Sequence, residues 1–261
     1  MLSILRIPKL QLIISLLLIY LTALIRFPTI NNLQLLFFCV ILNVAFDLLL
    51  TYIKKRTFFI PYAAIATGLI MSLIINQSAN LLEIAFGAAL AMGLKNFLRI
   101  SERHIFNPVA SGLFLYGLIF NQYIGWWGVS FQKITQLNLE DLIFFLVLLS
   151  PAYISFFRLK KYYSILSYIA INAFISQIFF PVSADVFLNT FSLILNPPTL
   201  FFALVMLPEP MTSPVKPLNQ ILYGGLVAIV PFMFSLIPLS FAFDPLLFGL
   251  LLGNLIFFKN R

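Results

Sequence analysis

Leu33-Gln34-Leu35-Leu36-Phe37-Phe38-Cys39-Val40-Ile41-Leu42-Asn43-Val44-Ala45-Phe46-Asp47-Leu48-Leu49-Leu50-Thr51-Tyr52-Ile53, closed at once by Lys54-Lys55-Arg56, is the stretch that decides the fold. Asp47 is its single charge. About 20 apolar residues in a helix match a hydrocarbon layer of roughly 30 Å. The many Ile, Leu and Phe side chains look strand-like residue by residue. A run this long and without alternation nevertheless reads as a helix in lipid, where every backbone group must be satisfied within the segment.

The rest of the chain repeats that grammar. Of 261 residues, 62% are hydrophobic and 9% charged, against about a quarter charged in a water-soluble domain. The mean hydropathy is +1.05. There is too little charge to cover a water-facing surface, so lipid is the expected solvent. Apolar runs predict ten transmembrane helices near 9–25, 33–53, 59–76, 81–98, 106–123, 141–157, 163–180, 186–206, 219–238 and 243–258. Residues 1–261 then form a single polytopic all-α membrane domain, with no room for a soluble one. The first run, Leu10 to Ile25, is longer than the apolar core of a signal peptide and lacks a small-residue cleavage site after it, so it reads as the first span.

Orientation follows from lysine and arginine, which collect in cytoplasmic loops. With the N-terminus inside, fourteen of the sixteen basic residues fall on the cytoplasmic side, and Arg26 and Lys133 fall outside. A wrong span count would scramble that partition. Both termini are therefore expected in the cytoplasm of a plasma (inner) membrane. The net charge of +8 is explained by loop anchors, and nucleic acid is not an expected partner. Trp126 and Trp127 are expected in an interfacial aromatic belt.

A faint internal echo is present. Gly68 to Met92 reads as an apolar helix, a polar break at Asn76-Gln77-Ser78-Ala79-Asn80, and a helix with Gly87, Ala88, Ala89 and Ala91. Leu204 to Ile229 repeats the plan, with a Pro/Ser/Thr break and then Gly224, Gly225 and Ala228. Five spans separate the two units, so they point in opposite directions. That is the trace of two inverted five-helix repeats, about 1–125 and 126–261.

Two cytoplasmic breaks are candidate sites. In Arg103-His104-Ile105-Phe106-Asn107-Pro108-Val109-Ala110-Ser111-Gly112, proline at the first turn and asparagine before it read as a capped helix start. The functional reading is a helix beginning inside the bundle, its amides facing an anion or a polar ring. In Leu207-Pro208-Glu209-Pro210-Met211-Thr212-Ser213-Pro214, the prolines forbid a continuous helix and predict an extended segment bearing Glu209, Thr212 and Ser213. Broken backbone at membrane depth must be buried in protein or line a cavity; a rigid cytoplasmic turn is the alternative.

Asp47 must face the interior, be neutral, or approach the Lys54–Arg56 cluster, serving an ion, a proton or the structure alone. Glu83, Asp185 and Asp244 sit near outer span ends, where solvation at the interface is expected. His104 is the single histidine and Cys39 the single cysteine, which excludes bis-histidine haem and intrachain disulfides and argues against a metal site. Nucleotide-binding and hydrolase motifs are absent, so no catalytic residue is assigned.

With these residues in view, a resemblance emerges. The run Lys95 to Gly112, centred on His104-Ile105-Phe106-Asn107-Pro108-Val109-Ala110, resembles the start of the fifth helix in the NqrB/RnfD family, the membrane subunits of the sodium-translocating NADH:quinone reductase and the Rnf electron transport complex. Pro208-Glu209-Pro210-Met211-Thr212-Ser213-Pro214 resembles that family's Thr-Asp-Pro-Val-Thr-Ser-Pro, and Ala64 to Leu73 its third span. Asp47 falls where the family often carries glutamate. The likeness covers about residues 40–120 and 195–235. It implies ten helices in inverted halves, related to urea transporters, and other Rnf/Nqr-like subunits as partners. It also implies a flavin. The Ser-Gly-Ala-Thr attachment motif for covalent FMN is missing, and Thr135 lacks its context, so a divergent short member without covalent FMN is expected. Noncovalent riboflavin or FMN is expected near Asn107, Pro108, Ser111, Glu209, Thr212 and Ser213. A small-solute transporter or channel on the same fold, and a cofactor-free scaffold subunit, are the competing readings.

Overall fold

The computed structural model describes residues 7–55, 59–100, 102–130, 139–179, 194–238 and 240–260. Among them the chain forms helices α1 (Pro8–Arg26), α2 (Ile30–Lys55), α3 (Tyr62–Ile74) and α4 (Leu81–Phe97). A hairpin follows, β1 (Arg99–Ile100) with β2 (Arg103–His104), paired Arg99 with His104 and Ile100 with Arg103. Then come α5 (Pro108–Phe120), α6 (Leu139–Leu148), α7 (Tyr162–Phe179), α8 (Pro197–Phe201), α9 (Pro217–Ser235) and α10 (Pro245–Ile256). The path of α6 continues through Ser150–Tyr153 into a π-helical turn, Ile154–Arg158, and α8 runs directly into another, Phe202–Met206.

Burial is inverted relative to a soluble protein. Asn43, Asp47, Ser72, Asn96, Ser164 and Asn254 are buried, whereas Leu21, Ile25, Ile41, Ile53, Phe157 and Phe174 face outward. Polar groups inside and an apolar exterior are what a bilayer demands. Five of the described helical stretches are long and apolar enough to cross a membrane: Pro8–Arg26, Ile30–Lys54, Asp141–Arg158, Tyr162–Phe179 and Pro217–Ser235. The protein is an all-α, membrane-embedded bundle. The apolar helices Tyr62–Ile74, Pro108–Phe120, Pro197–Met206 and Pro245–Ile256 are shorter. At 1.5 Å per residue they reach at most about 20 Å, so polar backbone at their ends lies within the depth of the bundle.

α2 packs on α3 and α4, α4 on α5, and α1 on α3; α7 packs on α9 and α9 on α10. α5 meets α10 and α1 meets α6 across the middle. Small residues permit the close crossings. A Cβ at Gly112 of α5 would fall 2.6 Å from the Gly87 carbonyl oxygen of α4, and one at Gly224 of α9 would fall 2.2 Å from the Ser164 carbonyl oxygen of α7.

One end of the bundle is sealed by amides and acids. Gln77 Nε2 donates to Asn32 Oδ1 (2.8 Å), Asn76 Nδ2 to Gln122 Oε1 (3.3 Å), and Arg26 pairs with Asp141 at 2.7 Å. That pair accounts for one of the two basic residues expected outside; Lys133, Thr135 and Asp185 lie outside the described residues. Glu83 completes a capping box with Asn80 at the start of α4, and Asp244 caps α10 by accepting from Leu247 N at 2.9 Å. Both acids thus have structural partners beyond interface solvation.

The tryptophans also differ from the expected belt. Trp126 and Trp127 are buried. Trp126 Nε1 donates to Asp244 Oδ2 and Trp127 Nε1 to the Ser72 carbonyl, both at 2.9 Å. Trp127 stands edge-on to Tyr20 with centroids 5.7 Å apart. A half-buried carboxylate and a buried carbonyl outcompete the interface for the two indole protons.

Candidate functional site

The two breaks singled out in the sequence meet at the other end of the bundle. His104 Nε2 lies 2.9 Å from Glu209 Oε1. Behind that contact, Asn254 of α10 bolts the segments together. Its Oδ1 accepts from Asn107 N (2.9 Å), and its Nδ2 donates to Thr212 O (3.3 Å) and to the Tyr223 hydroxyl (2.9 Å). Asn107 Nδ2 donates to Met206 O at 3.3 Å.

The stretch after Met206 is a compact turn and not the extended segment its prolines suggest. The Glu209 carbonyl accepts from Thr212 N (3.2 Å), Ser213 N (2.9 Å) and Ser213 Oγ (2.7 Å). Three prolines remove three amide donors, so side chains must serve the carbonyls left over. Buried Lys161 donates to Ser213 O (3.2 Å) and Pro214 O (2.6 Å), and Gln220 Nε2 to Val215 O (2.9 Å). Thr212 Oγ1 donates to Glu209 Oε2 at 3.0 Å and holds that carboxylate toward His104.

Beneath these contacts lies a cavity of about 510 Å³. The starts of α1, α3 and α5, the ends of α2 and α4, the β-hairpin and both π-helical turns all contribute to it. Its polar floor is an ion pair, Lys95 Nζ to Asp47 Oδ2 at 2.7 Å, with Asn96 Nδ2 donating to Asp47 Oδ1 at 3.0 Å. Asp47 is only 1% exposed. Asp47 thus faces the interior, one of the three alternatives open from the sequence, while Lys54 of the nearby basic cluster donates to the Asn96 carbonyl at 3.0 Å. Seven residues along one helix are about 10 Å of rise, too far for an intrahelical pair, whereas α4 packs alongside α2. The Asp47–Lys95 and His104–Glu209 pairs line the same cavity, with Lys9 at its edge.

Of the predicted site residues, Asn107, Pro108, Glu209 and Asp47 line the cavity. Ser111, Thr212 and Ser213 are buried behind it, Ser111 Oγ donating to the Pro108 carbonyl at 3.1 Å. The α5 start is capped, with Asn107 Oδ1 accepting from Ala110 N at 3.0 Å. The capped-start reading thus describes its geometry, and the polar reach of the cavity comes from side chains. Lys95 and Arg99 were visible in sequence as loop anchors and His104 as a lone histidine, Asn96 carried no signal of its own, and the lining role of all four comes from tertiary packing. The π-helical turns carried no sequence signal. They face each other, Ser155 Oγ donating to the Leu204 carbonyl at 2.6 Å, and both line the cavity. Such turns concentrate at functional sites.

The fold and cavity together define an α-helical membrane protein with a charged, partly apolar chamber at one end. No known protein-family profile matches the chain, and no curated protein matches it.

Proposed function

We infer that this chain is a membrane subunit of an Rnf/Nqr-like electron transport system, and that its chamber holds a noncovalent flavin, riboflavin or FMN. The observation that carries the reading is convergence: the two segments bearing the family resemblance, 95–112 and 207–214, line one cavity of about 510 Å³. Apolar side chains such as Ile70, Val109 and Val205 would sandwich a planar ring, while Asn96, His104 and Glu209 offer donors and acceptors to its edge.

Ten spans in two inverted halves, with both termini and the chamber toward the cytoplasm of a plasma membrane, complete the proposal. Its support is positional. Among the described helices, the short ones are the third and fifth of each proposed half, α3 and α5 against α8 and α10. α5 and α10 both start on an Asx-Pro pair, Asn107-Pro108 and Asp244-Pro245, at opposite ends of the bundle. The α2/α4/α5 packing is echoed by α7/α9/α10. Short helices in corresponding positions are the usual pointer to a binding site in inverted repeats.

The test is the visible absorbance spectrum of the detergent-purified protein, with an ultraviolet-illuminated denaturing gel for any covalent flavin. Flavin absorbance that stays with the native protein but is absent from the gel band is the expected result. No flavin on purification, and none after reconstitution with riboflavin or FMN, would overturn it. The buried Asp47–Lys95 pair on the chamber floor favours a second reading, a small-solute or cation pathway. Flux into proteoliposomes that falls in Asp47→Asn would support that reading, and flux no greater than in empty vesicles would remove it.

A further inference from the structure

We propose that the chamber is built for a ligand that ends in a phosphate ester and carries an apolar body. The proposal rests on the chamber and does not depend on the redox reading. Four cationic side chains line it, Lys9, Lys54, Lys95 and Arg99, against two carboxylates, Asp47 and Glu209. Asp47 is matched by Lys95 at 2.7 Å, and Glu209 receives His104 at 2.9 Å and Thr212 Oγ1 at 3.0 Å. Positive charge therefore remains at the mouth, from Lys9, Lys54 and Arg99. These three come from α1, α2 and the β-hairpin, so they converge by tertiary structure and are not one basic run. Glu102 approaches Arg99 at 3.9 Å, but it is 81% exposed and water screens it.

Beyond the mouth the lining turns apolar and buried, with Ile70, Val109 and Val205. A neutral ligand would leave Lys9, Lys54 and Arg99 with backbone carbonyls and one exposed carboxylate as partners but no buried counter-charge at the edge of a low-dielectric bundle. A carboxylate would balance one of them and offers two acceptor oxygens. A phosphate monoester carries up to two charges on three terminal oxygens, which suits an Arg fork and two lysines arriving from separate helices. That chemistry is shared by a phosphorylated flavin and by a phosphate-headed lipid.

Two matched pairs of probes distinguish the sources: FMN against riboflavin, followed by flavin fluorescence, and lysophosphatidic acid against monoacylglycerol, followed by native mass spectrometry of the delipidated full chain. In at least one pair the phosphorylated member is expected to bind about tenfold or more tighter, the scale of a charge-assisted contact. Lys54→Gln/Arg99→Gln removes that preference, and Lys9→Gln, on a separate and exposed helix start, reduces it. Lys216→Gln, an exposed lysine outside the chamber, leaves it intact.

Tight riboflavin binding with no gain from the phosphate would overturn this proposal while leaving the flavin reading standing. A phosphate preference confined to the lipid pair would uphold it and count against flavin. No binding in either pair, or a preference that survives the double variant and Lys9→Gln alike, would overturn it.

Discussion

Asp47 and Lys95 form a pair whose members each depend on the other. A carboxylate 1% exposed in the bundle has no water to fall back on, and its oxygens are taken by Lys95 Nζ and Asn96 Nδ2. Removing one partner of a buried pair costs about 3–5 kcal/mol, because the other charge is stranded. Asp47→Leu and Lys95→Met are each expected to lower the thermal midpoint in detergent, and the double variant to recover most of the loss. Additive losses in that cycle would mean that the two side chains do not interact. Asn254→Leu is a sharper cut. It takes away the Asn254 contacts of Asn107 N, Thr212 O and the Tyr223 hydroxyl at once. Unsatisfied buried groups cost about 1–3 kcal/mol each, so the expected result is a large loss of stability together with loss of any ligand bound in the chamber. Retention of both would mean that Asn254 does not hold the breaks together. Glu209 could be picked out from sequence because prolines on both sides announce broken backbone. Lys95 could not, since a lysine in the last turn of an apolar helix looks like an interface anchor until a neighbouring helix supplies its acid.

At the level of helices, close approach is controlled by a few glycines. A Cβ at Gly224 would sit 2.1 Å from Ser167 Oγ and 2.2 Å from the Ser164 carbonyl oxygen, while one at Gly93 would meet nothing within 4 Å. Both lie in helices, so the helix preference for alanine, up to about 1 kcal/mol, is common to them. Gly93→Ala is therefore expected to be neutral or stabilising. Gly224→Ala is expected to cost about 1–3 kcal/mol through overpacking of α9 on α7. Thermal unfolding of the two variants side by side separates packing from propensity; equal midpoints would contradict the close crossing. The small-residue helices were readable in the chain as clusters such as Gly87-Ala88-Ala89 and Gly224-Gly225, because nothing else lets two backbones approach so closely. The π-helical turns were not readable. They arise where Leu159 N reaches back to Ile154 O and Leu207 N to Phe202 O, a local change of register that leaves the apolar pattern unchanged.

Across the whole molecule, the inside-out burial pattern places lipid around the bundle, and the polar ends of the bundle can report its orientation. The breaks at 95–112 and 207–214 share one end, and the Asn76–Asn80 and Trp126 segments share the other. Basic residues cluster at the first end: Lys9, Lys54, Lys95, Arg99 and Lys161 all lie on or beside the chamber. In the proposed orientation, which follows the positive-inside rule, the chamber faces the cytoplasm. Cysteine labelling tests this directly, because Cys39 is fully buried and gives little background. Lys216→Cys and Ser78→Cys place a thiol on an exposed position at each end. A membrane-impermeant maleimide added to intact cells is expected to label Ser78→Cys and to reach Lys216→Cys only after permeabilisation. The reverse pattern would turn the chamber to the outer side, away from any cytoplasmic electron donor, and would remove the electron-transport reading while leaving the bundle itself intact. Labelling of both positions in intact cells would separate the architecture from the membrane altogether, since no span would then divide the two ends.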